Sequence, residues 1–137
     1  MTLNAGDRIG IWGPNSLEWL SVQFASAKAG LILVNINPGY RLEELRFALD
    51  HVGCVGLVSA ESFKTSNYVT MLQQLCPELL HAKPGQLKSS KVPSLRNVIM
   101  MSDKPHPGCY TYQEMFGAGE SGHYKASVTG TFQHMFR

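Results

Sequence analysis

The chain has 137 residues, 44% of them apolar, and a formal net charge of +2. That length is about one domain's worth and would bury roughly two-thirds of its unfolded surface, so a real core is possible. The charge is too small to imply a nucleic-acid partner, and no apolar run approaches the ~18 residues that a membrane-spanning helix needs.

The organising stretch is residues 6–40. Arg8-Ile9-Gly10-Ile11-Trp12 is a short apolar run closed by Gly13-Pro14, which predicts a buried strand of a parallel sheet over 8–12. Asn15 offers a side-chain oxygen to the free amides of a helix start, and Glu18 is placed to reach back to the cap amide. Leu17, Leu20, Phe24 and Ala27 recur at helical spacing, so a helix over 16–29 is expected to bury that face, with Gly30 as its left-handed stop. A second strand over 31–36 runs into Asn37-Pro38-Gly39.

Leu42, Leu45, Leu49 and Val52 then form one stripe of a helix over 42–52, ended by Gly53. Glu43 and Glu44 fall in its first turn, where the helix dipole favours negative charge. Cys54-Val55-Gly56-Leu57-Val58 opens a third strand over 54–59. Residues 61–67 read as a polar loop. Tyr68, Met71, Leu72 and Leu75 read as a short helix stopped by Pro77. Residues 81–93 carry Pro, Gly, Ser and Lys without an apolar period and read as an exposed loop. A fourth strand is expected over 97–101, and Tyr112, Met115 and Phe116 suggest a brief helix before Gly117. Beyond Glu120 no period or cap is visible, and the tail is expected to be loosely packed. Short connections between alternating strands and helices define an α/β fold of three-layer βαβ units around a mostly parallel sheet.

The chemistry-bearing residues form no catalytic constellation. Cys54, Cys76 and Cys109 are odd in number and widely spaced, and read as reduced thiols of an intracellular compartment, with Cys54 plain core. The five His show no metal-binding spacing. Glu43 and Glu44 are adjacent, so on a helix they point about 100° apart and are no acid–base couple. Lys83, Lys88 and Lys91 read as a solvated loop rather than a phosphate patch. Gly117-Ala118-Gly119-Glu120-Ser121-Gly122 matches GxGxxG, but it follows a helix rather than a strand and reads as a bare loop. Gly13-Pro14-Asn15-Ser16 sits between strand and helix, yet Pro14 has no amide hydrogen and no Lys completes a cradle, so it reads as a structural turn. Trp12 and Trp19 are expected to pack. No catalytic, cofactor-binding or metal-ligating residue is assigned.

Gly6-Asp7-Arg8, Gly13 to Ser16, Ala29-Gly30, Asn37-Pro38-Gly39-Tyr40 and Glu44-Leu45 resemble the N-terminal region of adenylate-forming acyl-CoA synthetases. Cys76-Pro77-Glu78, Pro84-Gly85 and Leu87-Lys88-Ser89 narrow the resemblance to the mitochondrial medium-chain group. It implies that residues 1–119 are an incomplete part of the N-terminal AMP-binding domain of such an enzyme, with 120–137 a divergent tail. For the parent it implies ATP, Mg²⁺ and coenzyme A as cofactors, a fatty acid as substrate, and the mitochondrial matrix as location. The family's Ser/Thr/Gly-rich phosphate loop ending in Pro-Lys-Gly, its adenine and ribose motifs and its C-terminal catalytic Lys are not in this sequence. The expectation is therefore a chain inactive alone, with no cofactor of its own, or a non-catalytic module that pairs with the full-length enzyme or with other chains. Residues 1–10, MTLNAGDRIG, carry no targeting leader, which points to the cytoplasm if Met1 is the true start. Unpaired edges predict marginal stability and self-association.

Overall fold

The computed structural model describes residues 3–116. Its centre is a four-stranded, all-parallel sheet in the order β2-β1-β3-β6. The strands are β1 (Arg8–Trp12), β2 (Ile32–Ile36), β3 (Gly56–Ser59) and β6 (Asn97–Met100). Helix α1 (Leu17–Lys28) crosses from β1 to β2, and α2 (Leu42–Val52) crosses back past β1 to β3. A two-residue hairpin follows, β4 (Ser62–Phe63) paired with β5 (Ser66–Asn67), then α3 (Tyr68–Leu75), a 3₁₀ turn Pro77–Leu80, β6 and α4 (Tyr112–Phe116). Register is fixed at β1, where Ile9 faces Leu33 on one side and Gly56 on the other. Crossing in both directions from β1 puts helices on both faces, the doubly wound arrangement.

Alternation along the strands divides the core into two layers. Gly10 and Trp12 of β1, Leu57 of β3 and Val98 of β6 face α2 and α3, where Leu45, Leu49, Tyr68, Leu72 and Leu75 are buried. Ile9, Ile11, Val58 and Ile99 face α1 and α4, packed by Val22, Ala25 and Met115. The α2 side approaches closely: a Cβ on Gly10 would lie 2.7 Å from Ile36 Cδ1 and 3.4 Å from Leu49 Cδ2. Helix α2 ends as its sequence predicts, with Gly53 at φ 73° donating its N–H to Leu49 and Asp50 carbonyls.

Several elements differ from the sequence reading. Helix α1 is capped by Ser16, not Asn15: the Ser16 hydroxyl accepts from the Trp19 N–H at 3.1 Å. Its buried face is Val22, Ala25 and Ser26, whereas Leu17, Leu20 and Phe24 are 80%, 45% and 61% exposed, and Ala27 is exposed too. Small side chains let the helix lie close on the sheet, and the large apolar ones turn outward. The 61–67 loop contains the β4–β5 hairpin, turned at Lys64 with φ 53°. Residues 81–93 form a largely exposed loop, as expected, but Leu87, Ser89 and Val92 are buried beneath it, and Leu95 just beyond joins them. The strands also start or end one or two residues inside the expected spans, Leu31, Cys54, Val55 and Met101 lying outside them. The tail from 120 and the GxGxxG pattern lie outside the described residues.

Candidate functional site

In an open parallel sheet, ligands bind at the carboxyl ends of the strands where the winding reverses. Here that point lies between β1 and β3, whose carboxyl ends carry the turns Gly13 to Ser16 and Ala60 to Ser62. The two turns touch. A Cβ on Gly13 would meet Ala60 Cβ at 2.9 Å and Met101 Cε at 3.3 Å, and the Ala60 N–H donates to the Trp12 carbonyl at 2.9 Å. In this turn Pro14 has no N–H, and Ser16 Oγ is engaged at the helix cap.

Beside it, Trp12 anchors the end of β2. Its indole N–H donates to the Asn37 carbonyl at 3.2 Å, and Asn37 Oδ1 accepts from the Gly39 N–H at 2.8 Å. Tyr68 stacks on Trp12 and donates its hydroxyl to the Pro38 carbonyl. Burial pushes the Tyr68 phenol up to about 12, so it stays a donor at neutral pH. Trp19 is half-buried against the α1 layer, so both tryptophans pack. Arg41, just before α2, donates from Nη1 to Ser66 Oγ at 3.1 Å, tying the hairpin to this edge.

Past β3, Glu61 Oε2 lies 2.9 Å from His106 Nε2. The hydrogen bond from His106 holds the Glu61 carboxyl below the usual carboxylate range. Burial opposes this, while Ser102 and the charges of His106 and Lys104 add to it. A carboxylate so placed can orient an imidazole, and with the Ser102 hydroxyl also bonded to Glu61 the pair ties residues 102–110 to the end of β3. The two partners are 45 positions apart, Glu61 in what read as a polar loop, so no sequence pattern points to them.

The thiols are not activated. Burial pushes Cys54 and Cys109 up to about 11, the nearby Arg8 charge opposing this at Cys54, and burial raises Cys76 as well. All three are free and buried, the state of inert core thiols. Among the described residues no three His, Cys, Asp or Glu side chains are grouped to hold a metal, and no helix is long and apolar enough to cross a membrane.

The described residues form a three-layer parallel α/β unit. The AMP-binding enzyme family model matches residues 2–111, and the chain belongs to that family. The zebrafish (Danio rerio) protein named medium-chain acyl-CoA ligase ACSF2, mitochondrial, is 49% identical over 123 residues, covering 90% of this chain and 20% of its own length. The human (Homo sapiens) protein of the same name is 47% identical over 116 residues, covering 85% of this chain and 19% of its own. This chain therefore spans about a fifth of the length of the curated relatives it matches. Among solved structures, an acetoacetyl-CoA synthetase from Streptomyces lividans superposes with a TM-score of 0.64 at 16% identity, over 81% of this chain and 16% of that one. The anthranilate CoA ligase AuaEII, in complex with anthranoyl-AMP, superposes at 0.56 and 17% identity, over 72% of this chain and 16% of that one.

Proposed function

We propose that this chain is the amino-terminal part of an ATP-dependent medium-chain fatty acyl-CoA ligase. In the parent, a fatty acid and ATP would form an acyl-adenylate with release of pyrophosphate, and coenzyme A would then take the acyl group as a thioester. The observation that carries the reading is the AMP-binding match over 2–111 together with 49% identity to a medium-chain acyl-CoA ligase. The names of those relatives also support a mitochondrial location for the parent.

Within that enzyme, residues 1–119 would supply part of the AMP-binding domain, and 120–137 a divergent tail. ATP, Mg²⁺ and coenzyme A would be held by residues outside this stretch, because Gly13 packs against Ala60 and the sequence carries no Pro-Lys-Gly phosphate loop. The chain alone is accordingly proposed to be inactive. The test has two arms. With ATP, Mg²⁺ and octanoate, the purified chain should release no pyrophosphate. Grafted in place of the matching segment of the zebrafish relative, residues 3–116 should leave octanoyl-CoA synthesis intact. Turnover by the chain alone overturns its inactivity, and a folded but dead graft overturns the assignment to the ligase.

A second reading is supported by α1. Leu17, Leu20 and Phe24 form an exposed apolar row on a helix whose opposite face is already buried. Such a row favours association, here of the chain with itself or with a longer ligase chain, as a non-catalytic module.

A further inference from the structure

A groove of about 630 Å³ lies away from the strands' carboxyl ends. Gly85 to Ser90, Pro93 and Arg96 line it, and its charged side chains are Lys88 and Arg96. Neither head group is in an ion pair among the described residues. Between Leu79 and Ser102 the chain carries four cations, Lys83, Lys88, Lys91 and Arg96, and no Asp or Glu. The whole chain has a net charge of only +2, so this segment is a local concentration of positive charge.

A basic loop free in solvent would gain little from its charge, since ordering it on a ligand costs side-chain and backbone entropy. This loop is already ordered. Leu87, Val92 and Leu95 are buried beneath it. Ser89 Oγ accepts from the Val92 N–H at 3.0 Å and meets Cys76 Sγ at 3.3 Å, and Glu78 Oε2 accepts from the Ser90 N–H at 3.2 Å. The Leu87 N–H donates to the Arg96 carbonyl at 3.3 Å, which pins the two ends of the groove together. Glu78, just before this segment, gives one carboxylate oxygen to the Ser90 N–H and lies outside the lining. The result is a preformed concave surface with one planar guanidinium and one ammonium at its walls, a pair suited to oxygens of a phosphate. It is an open groove whose volume falls in the range of small-molecule sites.

We propose that the groove between Lys88 and Arg96 binds a soluble phosphate-bearing anion, independently of the reaction assigned to the parent enzyme. Inorganic pyrophosphate and orthophosphate are the probes. Titrated into the 137-residue chain at about 20 mM salt and followed by calorimetry, pyrophosphate should bind saturably at one site and more tightly than orthophosphate. Binding should weaken at about 300 mM salt. The double variant Lys88→Gln, Arg96→Gln should bind at least about tenfold more weakly, as expected when two unit charges are removed from contact distance. Both side chains are exposed, so the variant should keep the wild-type circular dichroism and melting temperature. A control pair elsewhere on the surface, Lys28→Gln with Lys64→Gln, should bind as the wild type does. Vesicles of phosphatidylcholine with phosphatidylglycerol form the second arm. No saturable binding of either soluble phosphate, equal loss in the control pair, or binding to anionic vesicles alone overturns the proposal.

Discussion

Trp12 and Tyr68 stack face to face, their ring centroids 3.5 Å apart and their planes 8° from parallel. Trp12 ends the central strand and Tyr68 opens α3, so one contact closes the α2–α3 layer over the strands' carboxyl ends. Trp12→Ala should cost about 3–5 kcal/mol of stability, as for other buried large-to-small changes. Tyr68→Phe keeps the stack, loses only the hydroxyl bond to Pro38, and should cost about 1 kcal/mol. Urea denaturation of both variants checks the order. Equal losses would mean that the hydroxyl, not the stack, holds the layer.

Gly13 and Gly53 are both needed, for different reasons. At Gly13 φ is 157° and a Cβ would in addition run into Ala60, whereas at Gly53 there is open space and only φ, 73°, disfavours a side chain. Asparagine tolerates the left-handed conformation and does nothing to relieve a clash. Gly53→Asn should therefore cost under about 1 kcal/mol, and Gly13→Asn about 1–3 kcal/mol or more. If thermal melts show the two variants equally stable, the close approach of the two turns is not what fixes Gly13.

Stability should fall at both ends of the pH scale, for identifiable groups. The Glu61 carboxyl is held low by His106, so its contribution is present above the unfolded carboxylate range and is lost as pH falls through its folded value. Glu61→Gln should flatten the acid limb. Cys54 and Cys109 are raised from 9.0 to about 11, so what they contribute is complete below pH 9 and is lost as pH rises toward 11. Replacing both with Ala should flatten the alkaline limb while lowering stability throughout. Denaturation midpoints across pH read both limbs. An unchanged acid limb in Glu61→Gln would remove the carboxylate–imidazole tie from the account.

The exposed row on α1 predicts association. Leu17→Ser with Phe24→Ser should shift sedimentation toward the monomer without loss of melting temperature, because the wild-type side chains are 80% and 61% exposed. A wild-type chain that is monomeric at about 100 µM, above the micromolar range of weak specific contacts, and that does not bind the purified zebrafish relative at that concentration, removes the module reading.

Much of the sheet could be read from sequence because its signals are local. Strand 8–12 and helix 42–52 appear with the expected bounds, since an apolar run between turn residues and a leucine stripe with a Gly stop each lie within one window. Helix α1 shows where such reading fails. Its largest apolar residues keep helical spacing, but the sheet takes Val22, Ala25 and Ser26, whose small size permits close packing. A pattern of hydrophobicity locates an apolar face without saying which neighbour covers it. The 81–93 loop hid its buried residues for a related reason: Leu87, Val92 and Leu95 have no period, and they are buried singly beneath turns. The carboxyl-edge features were illegible altogether. The contact of Gly13 with Ala60 and the Glu61–His106 pair join residues about 45 positions apart, and only the strand order brings them together.

That strand order also sets a sequence of events during synthesis. β1 can pair with β2 as soon as residue 36 is available, completing one βαβ unit from nearby chain. The other side of β1 belongs to β3, which ends at Ser59, and β3 in turn waits for β6 to reach Met100. At ~5–20 residues per second, the inner edge of β1 stays bare for about 2–10 s after that strand has been made. The most central strand of the finished sheet is thus open on one side for much of its own birth, and a nascent chain arrested between residues 36 and 56 would present that side to whatever lies near the ribosome.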